Sequence, residues 1–253
     1  MKKYSYPDTP FSKRKTRPVT RFKVIGERCS GTYYTQRLIE HNLDISHTEE
    51  YGHKHFWSKR REGYPKDLLL VMVVREPYSW LQSFYEKKWN LPDHFHKIDF
   101  RPFLQEPIYS IKDHNIPSIS GEVGDEIMAD RNFSTKGRYK DIFELRHQKL
   151  TFMFHEFPKM CSNMILIRLE DLQNDYQKVL KDLQWQFELE KKLESFEDLK
   201  HYKGNSTLPI YQKKDLWITD TDKKFITEKL DWTWEQVPIY RLLSFFLFLL
   251  IYS

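Results

Sequence analysis

Apolar residues are grouped along the chain in two patterns, short continuous runs and longer stretches with helical spacing. Three short runs each match a strand that is buried on both faces, and they cover Phe22–Ile25, Leu68–Val74 and Asn163–Arg168. Helical spacing follows these runs, over Thr32–His41, from the Arg138–Arg146 stretch to about Phe157, and over Leu172–Phe187 and Asp220–Trp234. Strands that alternate with helices predict an α/β domain with a parallel sheet. Asp171 is the expected N-cap of the third helix, and the charged stretch Glu188–Lys200 is expected to form a solvated helix.

The turn between the first strand and the first helix has a composition that suits an anion site. Two of the eight glycines of the chain, Gly26 and Gly31, bracket it. A strand, a tight loop and a helix present backbone N–H groups and a positive helix end to a phosphate. The turn is not a Walker A sequence, which needs Gly-Lys directly before Ser or Thr, because Cys29 precedes Ser30 and Gly31 precedes Thr32. An ordinary strand–turn–helix corner is the other interpretation.

A second motif follows the second strand. Arg75 stands at the carboxyl end of the Leu68–Val74 run, where open α/β sheets bind ligands. Pro77 suits a helix start, because its missing N–H is not needed there. Ser83 lies about two turns into that helix. An Arg fork and a hydroxyl are a natural pair for phosphate oxygens, although a surface Arg and a helical Ser are each common.

Together these motifs resemble those of sulfotransferases that use 3′-phosphoadenosine 5′-phosphosulfate (PAPS). Gly-x-Arg-x-Ser-Gly-Thr over Gly26–Thr32 resembles their 5′-phosphosulfate loop, Arg75 with Ser83 resembles their 3′-phosphate site, and Arg138–Arg146 resembles an element of a bacterial and algal subgroup, with Asp141 and Phe143 as departures. The resemblance implies an α/β three-layer sandwich with a central parallel sheet and a P-loop-like phosphosulfate-binding loop. It also implies sulfuryl transfer from PAPS to a hydroxyl or amine of an unidentified acceptor, a carbohydrate or small molecule, without a metal. The implied cofactor-binding residues are Gly26, Arg28, Cys29, Ser30, Gly31, Thr32, Tyr33, Arg75 and Ser83, with a weaker Lys-Gly match at Lys203 and Gly204.

The segment Gly52–Trp57 alternates His and Lys beside aromatic residues, and three interpretations are open. His53 and His55 could bind a metal, but no further ligands stand at a recognisable spacing. The segment could also be a solvated surface turn. In the third interpretation it is catalytic, since a Gly-x-Lys-His element of the same subgroup is similar. We then expect Lys54 to contact the bridging or sulfonate oxygens and His55 to accept the acceptor proton, with His53 as the alternative base.

Cys29 departs from the family pattern, because many members have Lys or Arg there to reach the bridging oxygen. Arg28 or Lys54 would have to supply that charge. A thiol near a helix N-terminus is expected to have a lowered pKa. The departure keeps two alternatives open, a P-loop kinase-like phosphotransferase and a catalytically inactive nucleotide- or glycan-binding module. The missing Walker Lys disfavours the first.

Composition adds the broad setting. The chain has 253 residues, a formal net charge of +5 and two cysteines, which favour a reducing, cytoplasmic compartment over a disulfide framework. We expect a basic tail over 1–20, a sulfotransferase-like domain over 21–239 with a variable, irregular acceptor-binding segment at 86–137, and an apolar tail over 240–253. No nucleic-acid partner is expected. Membrane contact through 242–252 and the oligomeric state stay open.

Overall fold

The computed structural model describes residues 12–14, 18–57, 60–112, 122–123, 125–200 and 214–235. Its strands are β1 (Ser12–Arg14), β2 (Arg21–Gly26), β3 (Ser46–His47), β4 (Leu68–Val74), β5 (Glu122–Val123), β6 (Glu126–Ile127) and β7 (Asn163–Arg168). Its α-helices are α1 (Thr32–Asn42), α2 (Pro77–Lys87), α3 (Phe100–Phe103), α4 (Ile142–His155), α5 (Phe157–Met160), α6 (Leu169–Phe187), α7 (Asp220–Lys229) and α8 (Trp232–Glu235). Two 3₁₀ turns cover Asp93–Lys97 and Met128–Asp130.

The described residues form an α/β domain around a sheet with the strand order β1-β7-β4-β2-β3. The four strands from β7 to β3 are parallel, and β1 joins the edge in antiparallel direction. In the centre Val24 lies opposite Val71, which lies opposite Ile165. All seven residues of β4 are buried, as expected for a strand covered on both faces. The predicted parallel sheet is confirmed.

Helices cover both faces of this sheet, because alternate residues of each strand point to opposite sides. One face carries Val24, Val71 and Ile165, and it packs against α1 and α6. The other face carries Met72 and Leu166, and it packs against α4 and α5. A third apolar cluster joins α2, α3, the start of α4 and α7. The middle segment 86–137 contributes to it, with short helices as expected.

The connections reverse the strand order between β2 and β4, and we call the space beyond the carboxyl ends of these two strands the crevice. From β2 the chain runs through α1 to β3 on one side, and it then crosses back to β4 on the other side of β2. Such a reversal of strand order is a topological switch point, and open α/β sheets bind ligands there, beyond the carboxyl ends of the strands. The Gly26–Thr32 loop and Arg75 both follow those two strand ends.

Three local features differ from the sequence-based expectations. Strand β1 lies within the segment predicted as a basic tail, where it pairs with β7. Helix α6 begins at Leu169 rather than after Asp171, and Asp175 breaks its helical geometry while accepting a hydrogen bond from the Lys178 N–H. The segment Glu188–Lys200 is not helical. Among the described helices, none has the length and apolar character needed to cross a bilayer.

Candidate active site

The loop after β2 is a tight turn whose two glycines are required by packing. A Cβ at Gly26 would lie 2.5 Å from the Val73 carbonyl oxygen on the neighbouring strand. Gly31 has φ of 92° and precedes α1, and a Cβ there would lie 2.5 Å from a methyl carbon of Leu169. Both glycines therefore let the loop approach its own protein neighbours closely. Gly31 is the N-cap residue of α1 and makes no side-chain capping hydrogen bond.

Side chains of the loop bond back to the loop or to the interior. The Ser30 hydroxyl is fully buried and donates to the Glu27 carbonyl at 2.7 Å. Thr32 is also buried, at the first position of α1. The Ser30 N–H also donates to the Glu27 carbonyl, at 3.2 Å, so both donors of Ser30 are used within the loop.

The Arg28 side chain turns inward, against the expectation that it substitutes for a cation at position 29. It donates to the Trp89 carbonyl at 2.8 Å and lies 3.3 Å from the Asp130 carboxylate. Its guanidinium lies over the Phe84 ring, with 4.6 Å to the ring centroid. The side chain is 6 % exposed. Its charge is therefore used inside the protein and not at the crevice.

Arg75, Cys29 and Ser83 come together at the switch point. Arg75 Nη1 donates to the Cys29 carbonyl oxygen at 3.1 Å, which joins the two strand ends. Cys29 has φ of 64°. Its thiol is hydrogen-bonded to Ser83, but burial has the larger effect and raises the pKa of Cys29 to about 11. The expectation of a lowered thiol pKa is therefore wrong, because desolvation of the half-buried Cys29 outweighs the cations nearby.

The Gly52–Trp57 segment folds as a turn that contacts the end of β2. Tyr51 and Gly52 have positive φ angles, of 70° and 99°. The Gly26 N–H donates to the Lys54 carbonyl at 3.0 Å. The His55 ring bonds to the Gly26 carbonyl through Nδ1 at 2.8 Å. Lys54 and His55 thus lie beside the loop, as the catalytic interpretation requires.

The two histidines have different tautomers. A carbonyl oxygen only accepts, so the His55 Nδ1 carries the proton and its Nε2 holds the lone pair. The His53 Nδ1 accepts from the His55 backbone N–H at 3.2 Å, so its proton is on Nε2. Burial, reinforced by the charge of Lys54, lowers the pKa of His53 to about 4 and that of His55 well below its usual value. Both rings are neutral at pH 7.

Lys54 extends to the first turn of α1. Its Nζ lies 5.6 Å from the centroid of the Tyr33 ring, which belongs to that turn. Lys54 is half-buried, as are Arg75 and Ser83. The crevice between β2 and β4 is therefore bordered by two cationic side chains and by the backbone of the loop.

Beneath the loop lie buried charges that the sequence analysis did not identify. Glu27 bonds to Arg146 at 2.8 Å, and Arg146 also bonds to Glu235. Burial raises the pKa of Glu27 to about 7, although the charge of Arg146 opposes the rise. Within the described chain Glu27 Oε1 has no hydrogen-bond partner.

A second buried group surrounds Asp130. Its carboxylate contacts Lys149 at 2.5 Å and Arg28 at 3.3 Å, and it accepts from the Ser110 hydroxyl. Burial favours the neutral acid, but the charges of Lys149 and Arg28 outweigh it and hold the pKa of Asp130 below its usual value. Lys149 Nζ also donates to the His55 carbonyl at 3.0 Å. The group therefore supports the loop and the His55 turn from below.

A small cavity of about 10 Å³ lies between the two buried groups, roughly the room for one water molecule. Glu27, Asp130, Lys149 and His55 are among the residues that line it. Of the residues that carry the two buried groups, Arg146 was indicated by a sequence motif, because it belongs to the Arg138–Arg146 element. Asp130 lies in the least patterned part of the chain, and nothing local distinguishes it.

Some predicted residues are not placed. Lys203 and Gly204 lie outside the described residues, as does the apolar 240–253 tail. In the part of the chain that is described, no three His, Cys, Asp or Glu side chains are grouped so that they could hold a metal ion. Comparison of the chain with protein-family models, curated proteins and solved structures gave no match. The functional interpretation therefore depends on the residues and their geometry.

Proposed function

We propose that this protein transfers a sulfuryl group from PAPS to a hydroxyl or amine of an acceptor. One observation carries the proposal: the Gly26–Thr32 loop and Arg75 meet at the switch point of the parallel sheet, joined by the Arg75–Cys29 hydrogen bond of 3.1 Å. A nucleotide with phosphates at both the 5′ and 3′ positions needs two anion sites on neighbouring strand ends. The loop amides suit the 5′-phosphosulfate, and the Arg75 fork suits the 3′-phosphate. The P-loop-like function of the loop is part of this proposal.

Sulfuryl transfer is mainly a problem of positioning and of charge stabilisation, like phosphoryl transfer. The acceptor oxygen or nitrogen attacks sulfur, its proton passes to a base, and the phosphate oxygen of adenosine 3′,5′-bisphosphate leaves with the bonding electrons. Negative charge on the sulfonate and bridging oxygens needs fixed donors. We assign Lys54 to these oxygens, because its ammonium lies at the first turn of α1. Arg28 is not assigned, since its side chain is bonded to Asp130.

His55 is the proposed base for the acceptor proton. Its Nδ1–H is held by the Gly26 carbonyl, which orients the ring and leaves the lone pair on Nε2. His53 has the opposite tautomer, with its lone pair already accepting from the His55 N–H. The lowered pKa of His55 leaves the ring neutral at pH 7, but it also makes the ring a weaker base than an ordinary imidazole.

A catalytically inactive nucleotide-binding module is the second candidate. Two observations favour it: Arg28 is turned inward, and position 29 carries a thiol instead of a cation. Such a protein would keep both phosphate sites and would lack the charge for the departing oxygen. The two candidates differ in turnover but not in nucleotide binding.

Isothermal titration calorimetry tests the nucleotide first. We expect adenosine 3′,5′-bisphosphate to bind without Mg²⁺, and to bind more tightly than ATP with Mg²⁺. Preference for ATP with Mg²⁺ would overturn the proposal in favour of a kinase-like protein. Labelled PAPS with a panel of sugars, phenols and lipid alcohols then tests transfer. Label on any acceptor supports the enzyme, whereas tight bisphosphate binding without transfer to any of them supports the inactive module.

A further inference from the structure

Arg146 on α4 contacts the first residue beyond each of the two strands that form the crevice. Glu27 directly follows β2, and Arg146 Nη1 donates to its Oε2 at 2.8 Å. Arg75 directly follows β4, and Arg146 Nη2 donates to its carbonyl oxygen at 2.8 Å. The sheet hydrogen bonds end at the strands themselves. Beyond them the Arg146 guanidinium joins the two segments, in addition to the Arg75–Cys29 hydrogen bond.

The guanidinium is itself held in place from its other edges. Its Nε and Nη2 donate to the two carboxylate oxygens of Glu235 on α8, at 2.5 and 2.8 Å. Its planar group lies over the Trp80 ring at 4.6 Å, and Trp80 Nε1 donates to the Arg28 carbonyl at 2.8 Å. Arg146 is 2 % exposed. A bidentate pair and a ring contact in a buried site leave an Arg fork little freedom.

These contacts form a closed ring of hydrogen bonds that links the residues following β2 and β4. Arg146 bonds to Glu27 in the loop, Cys29 two residues later accepts from the Arg75 side chain, and the Arg75 carbonyl accepts from Arg146. We infer that Arg146 is a positioning residue that sets the distance between the 5′- and 3′-phosphate sites. The inference rests on the proposed function. Arg146 would contact neither phosphate, yet it would determine the affinity for nucleotides that carry both.

The inference predicts different effects for nucleotides with one phosphate and for nucleotides with two. A nucleotide with one phosphate uses one site and does not depend on the spacing of the two. A bisphosphate gains from engaging both sites at once, and this gain is lost when the geometry no longer matches. Lysine at position 146 would keep the charge but, as a point charge with three donors, could not reproduce the planar fork. Arg146→Lys should therefore affect the gain from the second phosphate rather than each site alone.

The test is calorimetric titration of wild type and Arg146→Lys with adenosine 3′,5′-bisphosphate, adenosine 5′-phosphate and adenosine 3′-phosphate. We expect the variant to bind the bisphosphate at least about tenfold more weakly and each monophosphate within about threefold of wild type. Leu150→Ala is the matched control, because Leu150 is a buried apolar residue on the same helix. It should lower stability and leave all three affinities unchanged.

Other outcomes decide against the inference. Equal losses for all three nucleotides, or no loss for any, would overturn the positioning role. If Arg146→Lys does not fold, Glu27→Gln is titrated instead at about pH 8, above the Glu27 pKa of about 7, because there it removes the charge that Arg146 bonds while keeping side-chain shape, and it should show the same selective loss. A wild-type protein that binds the bisphosphate no better than the monophosphates would instead refute the proposed function.

Discussion

Two regions meet at the carboxyl end of β2, and they use charge in opposite ways. Beneath the loop, six charged side chains are buried and pair among themselves, and they are Glu27, Arg28, Asp130, Arg146, Lys149 and Glu235. In the crevice above, Lys54 and Arg75 are half-buried beside backbone amides. The lower region contains three acids and three bases, whose charges balance when all six are ionised. The upper region is cationic.

The difference shows how neighbouring residues of one motif take separate roles. Arg28 and Cys29 are adjacent, but the first side chain neutralises Asp130 and the second lies at the switch point. A buried charge must be compensated where it is, which removes it from ligand binding. A cation at a phosphate site must stay accessible instead. The following predictions test this division, from the largest expected effect to the smallest.

Asp130→Asn should destabilise the protein, because it disrupts the buried charged group beneath the loop. The substitution keeps the side-chain shape but leaves Arg28 and Lys149 buried without their shared carboxylate. We expect the free energy of unfolding in urea to fall by about 3–5 kcal/mol. Asp67→Asn is the control, since the Arg21 and Asp67 side chains are 31 % and 38 % exposed, and a pair this accessible to solvent should contribute about 0–1 kcal/mol. Equal losses in the two variants would contradict the division.

Lys54→Ala and His55→Ala should each lower the turnover of the proposed sulfuryl transfer in the crevice. Removal of an oxyanion donor or of a base lowers turnover by about 10²-fold or more. The affinity for adenosine 3′,5′-bisphosphate should change little, because neither residue is assigned to the nucleotide phosphates. His53→Ala is the comparison variant and should lose less, given its opposite tautomer. Steady-state kinetics with labelled PAPS measures all three, and near-normal turnover in both Lys54→Ala and His55→Ala would place the chemistry elsewhere.

Arg75→Ala tests the 3′-phosphate site. A charge-assisted hydrogen bond contributes about 1.5–3 kcal/mol, so adenosine 3′,5′-bisphosphate should bind at least about tenfold more weakly. Adenosine 5′-phosphate should bind nearly as before, because it lacks the phosphate that loses its fork. Arg101→Ala removes a surface arginine that pairs with Asp222 and should change neither affinity. Equal losses for both nucleotides in the Arg75 variant would refute the assignment.

The pH dependence of stability should separate Glu27 from the histidines. The folded-state pKa of Glu27 is raised from 4.5 to about 7, so its contribution to stability is full below pH 4.5 and is lost as pH rises toward 7. The pKa of His53 is lowered from 6.5 to about 4, so its contribution is full above pH 6.5 and is lost as pH falls toward 4. His55 has the same sign.

Because these contributions have opposite signs, the net change of stability with pH should be the smallest of the four predicted effects. Between pH 7 and 5, Glu27→Gln should lose stability more steeply than wild type, since it lacks the contribution that grows on acidification. His53→Asn should lose stability less steeply. Urea titrations at several pH values measure both slopes. A Glu27→Gln slope equal to that of wild type would show that Glu27 does not titrate in this range.

Local pattern was sufficient for the main elements of the fold. The three apolar runs became β2, β4 and β7, because a strand buried on both faces needs a continuous apolar sequence. Local pattern was insufficient where the structure of a segment depends on residues that are distant in sequence. β1 is a strand because β7 offers it an open edge, and the charged segment Glu188–Lys200 is irregular although its composition suits a helix.

The sequence by itself determined the parallel α/β sheet, the tight loop after β2 and the place of Arg75 beyond β4, since periodicity and glycine position are local properties. Only the tertiary structure decided which way the loop side chains point. Arg28 turns inward because Asp130, 102 positions away, lies beneath it, and Glu27 is held by Arg146, 119 positions away. Compensation of buried charge depends on which residues the fold brings together, and no local pattern encodes that.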